Sequence, residues 1–119
     1  MSTNGTIIVQ RPETNEFASI YTHWDSYPSH HGPILLEYYN TYEKVSELVE
    51  LGQLSELHPN PDDCVSYHRW RGEDKDITVS SDLKDHTDME HAYLFRDGVW
   101  FYKYAGIFRP LTSEACQKE

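Results

Sequence analysis

The chain has 119 residues, 38% hydrophobic and 25% charged, which suits one domain with one modest core and a chain that folds rather than staying disordered. Ten basic against twenty acidic residues leave a formal charge of −10. That excludes the basic footprint needed to grip duplex DNA and favours partners with basic surfaces.

The elements follow from pattern. Thr6 to Gln10 is a β-branched run ending at Arg11-Pro12, and Phe17 to Trp24 is a second, so the two predict an antiparallel hairpin. Period two places Ala18, Ile20, Thr22 and Trp24 on one face, with Tyr21, His23 and Asp25 on the other. Pro28 stops that strand, and a helix is expected from Gly32 with Pro33 in its first turn. Thr41 is placed to cap a second helix, Tyr42 to Leu51, whose buried stripe is Tyr42, Val45, Leu48 and Val49 and which ends at Gly52. Gln53 to Leu57 reads as one further turn, His58-Pro59-Asn60-Pro61 as a break, and Cys64 to Trp70 as an extended segment.

From Gly72 to Glu90 the chain holds seven acids and two lysines, the pattern of a surface loop, with a short strand at Ile77 to Val79. His91 to Gly106, HAYLFRDGVWFYKYAG, is a hairpin around Asp97-Gly98. Its register pairs Phe95 with Trp100, Tyr93 with Tyr102, His91 with Tyr104, Leu94 with Phe101 and Arg96 with Val99. Phe108 to Gln117 closes the chain with a short helix after Pro110. The expected fold is therefore α+β in one domain, 1–119. It is a small antiparallel sheet made of the N-terminal hairpin, a central extended strand and the C-terminal aromatic hairpin. Two or three helices pack on one side, and 72–90 forms an acidic surface loop.

The densest chemistry is HWDSYPSHHG, His23 to Gly32. His23, Asp25, His30 and His31 are metal-capable residues, but adjacent side chains such as His30 and His31 are expected to diverge, and neither cysteine is near in sequence. No metal and no cofactor are expected. Cys64 and His68 are four residues apart, about 13 Å on a strand, so Cys64 reads as a core residue rather than a nucleophile. Trp24, Asp25 and Tyr27 could stack and read a planar base, with His68, Arg69 and Arg71 meeting its phosphate. The plainer reading of the same residues is a corner in which Trp24 is buried, Asp25 accepts turn N–H bonds and Pro28 sets the bend.

IYTHWDSYPSHHGPILLEYYNTYEKVSELVELGQLSEL followed by CVSYHRWRGED resembles a group of uncharacterised bacteriophage and prophage accessory proteins. They share a HWDGYP-type corner, a G-x-x-LL-x-x-Y helix start, KV-x-EL-x-x-LG, S-x-L and YHRDRGE. The likeness spans about Ile20 to Asp74; Ser26 stands where the group has glycine, and Trp70 where it has aspartate. The resemblance implies a small phage-encoded protein of the host bacterial cytoplasm that binds and disables a host system. The chain agrees with that location: it has two cysteines, no apolar stretch able to cross a bilayer, and no secretory leader in MSTNGTIIVQRPE.

Charge and resemblance together point to a non-enzymatic inhibitor of a host defence complex, of the anti-CRISPR kind. Its partner would be a host protein or ribonucleoprotein with a basic surface. The contact residues would be Trp70, Glu73, Asp74, Asp76, Asp82, Asp85 and Asp88. The second reading is a binder of a small nucleotide through Trp24, Asp25, Tyr27, His68, Arg69 and Arg71, and the third a phosphoesterase using the same histidine and arginines.

Overall fold

The apolar run Ile7-Ile8-Val9 organises the molecule. In the computed structural model, which describes residues 3–104 and 106–117, all three are at most 2% exposed, so their strand is covered on both faces. That strand, β1 (Gly5–Gln10), pairs antiparallel with β2 (Phe17–Thr22), as expected. On its other side it pairs parallel with β6 (His91–Arg96). The sheet is thus mixed and eight-stranded, not small and purely antiparallel. The correction has a physical cause. A strand buried on both faces sits mid-sheet and needs a partner on each edge. The long connection after β2 is free to bring β6 back in the same direction as β1.

The strand order is β4-β3-β2-β1-β6-β7-β8. β3 (Leu54–Glu56) lies parallel to the end of β2, Thr22 against Leu54, and β4 (Val65–Ser66) pairs with β3. β5 (Thr78–Ser80) takes the start of the same β2 edge, antiparallel. β7 (Val99–Tyr104) follows β6 through the Asp97-Gly98 turn, where both residues hold positive φ of 53° and 78°. Its register matches the expected one at all four recorded pairs; the expected meeting of His91 with Tyr104 lies outside the described side chains. β8 (Ile107–Pro110) pairs with β7, a strand where the sequence suggested none.

Two helices cover one face. α1 (Pro28–Tyr38) starts four residues before the expected Gly32. Pro28 is its first residue rather than the strand's stop, because a missing N–H is harmless there, and the Tyr27 carbonyl accepts from the N–H groups of both His30 and His31. α2 (Tyr42–Glu50) matches its expectation: the Thr41 hydroxyl accepts from the Lys44 N–H at 3.2 Å, and Val45, Leu48 and Val49 are buried. These side chains pack with Leu35, Ile7, Val9, Ala18, Ile20, Tyr93, Phe95 and Trp100 into one core. The Trp100 indole donates to the Tyr39 carbonyl at 2.7 Å, and the Tyr39 hydroxyl to the His58 carbonyl at 2.8 Å, so the rings are tied as well as buried.

Three further expectations change. Gln53 to Leu57 is not a helical turn but contains β3. Cys64 to Trp70 is extended only through Ser66. There the serine hydroxyl accepts from the Arg69 N–H at 3.3 Å and starts a one-turn helix, α3 (Tyr67–Arg71). A last short helix, α4 (Ser113–Gln117), follows Pro110 as expected and packs against α1.

Candidate interaction face

Within the segment 72–90, Ile77 packs against the helix-side core, Thr78–Ser80 extends the sheet, and the turn Leu83–His86 packs on the opposite sheet face. At the segment's start, Gly52 lets two backbones meet: a Cβ at that position would stand 2.7 Å from Lys75 Cα. The Gln53 N–H then donates to the Lys75 carbonyl at 3.0 Å. Asp76 follows with φ 51°, a left-handed value that a short polar side chain tolerates. β5 pairs with β2, and Asp82 opens a 3-10 turn at Leu83–His86 by accepting from the Lys84 N–H at 3.0 Å. His86 pins the turn to the sheet. It is 2% exposed, its Nδ1 meets Ser19 Oγ at 2.6 Å and its Nε2 the Ser80 carbonyl at 3.1 Å. A carbonyl can only accept, so Nε2 donates to it. Leu83 adds an apolar contact to Ile8, Phe17, Ala92 and Leu94.

All seven acids of the segment are exposed. Glu73 pairs with Arg71 at 2.8 Å and Glu90 lies 3.6 Å from His91. Among the described residues, Asp74, Asp76, Asp82, Asp85 and Asp88 have no ion-pair partner within 4.0 Å. Asp74 accepts from the Asp76 N–H at 3.0 Å and Asp85 from the Ser80 hydroxyl at 2.5 Å. Trp70 stands close in sequence at 62% exposure, and the Arg71 guanidinium lies 4.9 Å from both its ring and that of Tyr67.

The residues of the nucleotide-binding reading fall into two groups. Trp24, Asp25 and Tyr27 form the corner between β2 and α1. Trp24 is 42% exposed rather than buried, because β2 ends at Thr22 and the alternation ends with it. Asp25 holds φ 57°, and its carboxylate raises the pKa of the neighbouring Tyr27 hydroxyl. His68, Arg69 and Arg71 lie on α3. His68 Nδ1 donates to the Glu73 carbonyl at 2.8 Å, and Arg69 donates to the carbonyls of Pro61, at 2.9 Å, and Cys64. Among the described residues no hydrogen bond, ion pair or ring contact joins the two groups, and both arginines are engaged within the fold. Cys64 is buried against Tyr39 and His58, which pushes its thiol up and away from nucleophilic use.

The histidines of the HWDSYPSHHG corner do meet, contrary to the expected divergence. Both sit in the first turn of α1, with their Nδ1 atoms 3.0 Å apart and His31 fully buried. His31 Nε2 reaches Thr22 Oγ1 at 3.3 Å, and Thr22 Oγ1 meets Ser26 Oγ at 2.7 Å. The Tyr93 hydroxyl donates to the Ser26 carbonyl at 2.5 Å. Burial, with His30 and His91 nearby, lowers the His31 pKa to about 3, so it is a neutral hydrogen-bonding member of the core. Among the described residues no three His, Cys, Asp or Glu side chains converge as metal ligands do. No helix there is long and apolar enough to cross a membrane.

Thr6, Ser19, Gln53 and His86 were not singled out from sequence, and Tyr21 only as sharing a strand face with His23 and Asp25. With Thr78 and Met89 they line a cavity together with Asp76, Asp85 and Asp88. The one sequence signal that a segment covers them is a histidine, His86, set among acids. Comparison with protein-family models, curated proteins and solved structures returns no match.

Proposed function

We propose that this chain is a phage-encoded acidic binding protein that acts in the host bacterial cytoplasm. It occupies a basic surface of a host defence complex, of the anti-CRISPR kind, and catalyses nothing. One observation carries the reading. Five carboxylates with no ion-pair partner are presented on a segment that is itself fixed by a β-pairing, side-chain caps and the buried His86. Like charges held together are unfavourable for folding, and their fixed arrangement is useful to a basic partner that would otherwise hold phosphates. Trp70 beside them supplies a ring of the kind that anchors interfaces.

The test is plaquing of a targeted phage on bacteria with active CRISPR systems of several types. The chain should restore plaquing on at least one. The combined variant Glu73→Gln, Asp74→Asn and Asp82→Asn keeps the side-chain acceptors and removes three charges. It should melt normally and lose most of the protection. No protection on any host, or full protection by the neutralised variant, would end the reading.

A further inference from the structure

We propose that the ring surface made by Tyr21, His23, Trp24, Tyr67 and Trp70 takes arginine side chains of the protein partner, stacked on its rings. The inference rests on the reading above, that the partner is basic, and names the side chain it offers and the surface that receives it.

The sheet brings these rings together. Thr22 pairs with Leu54, and Leu54 with Ser66. One position along, Tyr21, Gln53 and Tyr67 therefore form a row on one face, and the Tyr67 N–H donates to the Gln53 carbonyl at 3.2 Å. From Tyr21 the rings continue one way. Its hydroxyl meets His23 Nδ1 at 2.6 Å, with ring centroids 5.8 Å apart, and the His23 ring stands 4.6 Å from Trp24. From Tyr67 they continue the other way, to Trp70 at 6.2 Å. Burial first, and then the nearness of Tyr67, raise the Tyr21 pKa. Both ends open to solvent: Trp24 is 42% exposed and Trp70 62%, while the third tryptophan, Trp100, is 3% exposed in the core.

The surface already holds one example of its occupant. The Arg71 guanidinium lies 4.9 Å from the centroids of both Tyr67 and Trp70. At the other end, among the described residues, no cation lies over Tyr21 or Trp24. Asp25, next to Trp24, is exposed and has no ion-pair partner there.

Charge chooses between the planar groups that rings can stack. Nucleic-acid bases come with phosphates, which need cations beside the rings. Here Arg69 is tied to the Pro61 and Cys64 carbonyls and Arg71 to Glu73. Lys75 alone is unpaired, its stem against Gly52, and it faces the unpaired Asp25, Asp74 and Asp76 in the balance of charge. Ring faces are themselves negative, so rings set among carboxylates favour a cation. A guanidinium is flat and weakly hydrated and stacks on them, whereas an ammonium keeps its water.

The experiment is an NMR titration of the full chain, following the indole N–H signals, with hexa-arginine and in parallel with hexa-lysine and hexauridylate. Hexa-arginine should shift the indole signals of Trp24 and Trp70 and leave that of Trp100 in place. It should bind about fivefold more tightly than hexa-lysine. Trp24→Ala and Trp70→Ala should each bring hexa-arginine affinity down toward that of hexa-lysine and leave hexa-lysine binding unchanged, a selectivity that a merely structural ring would not govern. Should Trp24→Ala melt early, Trp70→Ala, at the more exposed ring, carries the same test. Equal affinity for the two peptides, or hexa-arginine binding indifferent to Trp70→Ala, would overturn the inference. Hexauridylate moving the same indole signals would overturn it in favour of bases. The plaquing assay separates the two ideas. Loss of protection with the Glu73, Asp74 and Asp82 neutralisation, but none with Trp24→Ala and Trp70→Ala combined, leaves the acidic-binder reading standing and removes the ring surface. Arginine-selective rings in a chain that protects no host do the reverse.

Discussion

The two faces of the sheet are built to opposite rules. Under α1 and α2, Ile7, Val9, Ile20, Tyr93, Phe95 and Trp100 meet Leu35, Val45 and Leu48; Tyr39, His31 and Thr22 enter with hydrogen-bond partners, while Ser46 Oγ on α2 is buried without one. On the opposite face the covering segment brings acids, one anchoring histidine and a few apolar contacts around a cavity. The helix side carries the stability, and the outer side sets aside stability that a fully apolar cover would have given. On the proposed reading, that difference separates scaffold from interaction surface in a chain whose net charge alone does not locate one.

The comparison can be broken by mutation, with effects on opposite sides of very different size. Leu35→Ala, which empties fully buried space in the core, should lower stability by about 2–5 kcal/mol in a urea titration. A loss below about 1 kcal/mol would mean that the helix side is not the main core. His31 comes next. Its folded pKa of about 3 lies below its ordinary 6.5, so the unfolded chain binds a proton that the folded chain refuses. This contribution is complete above pH 6.5 and is lost as pH falls toward about 3. Its size over that window is on the order of a few kcal/mol. His31→Leu should flatten that part of the pH–stability curve, and an unchanged slope would show that other groups set it. Tyr39→Phe leaves the His58 carbonyl with only the Cys64 thiol as a side-chain donor, at 3.4 Å, and should cost about 0.5–1.5 kcal/mol by the same urea titration. On the outer face, Glu73→Gln with Asp74→Asn and Asp82→Asn should move stability by only a few tenths of a kcal/mol, upward at low salt as repulsion is relieved. A large loss there would make the segment structural.

Much of the scaffold was legible because its signals are local. Thr41 caps α2, Asp97-Gly98 turns the aromatic hairpin, and the apolar stripe of α2 is the one that packs. What escaped depends on distant partners. The run Ile7-Ile8-Val9 does carry the mark of a doubly covered strand, but which strand lies beside it is a question of topology, and β6 arrives some eighty residues later. α3 was hidden because Tyr67, Arg69 and Trp70 suit a strand as well as a helix; Ser66 and Gly72, its two ends, decide the matter. For the candidate site, the acids of 72–90 were legible as an exposed set, since a charge run has few other uses. Their cavity was not, because Thr6, Ser19 and His86 acquire meaning only once β5 docks on β2.

The central claim is that a fixed anionic face engages a basic one. Its most direct test is the affinity of the chain for the purified effector complex of a host it protects, measured from low to high salt. Affinity should fall steeply as salt rises, and the Glu73, Asp74 and Asp82 neutralisation should weaken it about tenfold or more and flatten the salt slope. An affinity indifferent both to salt and to those three charges would contradict the claim.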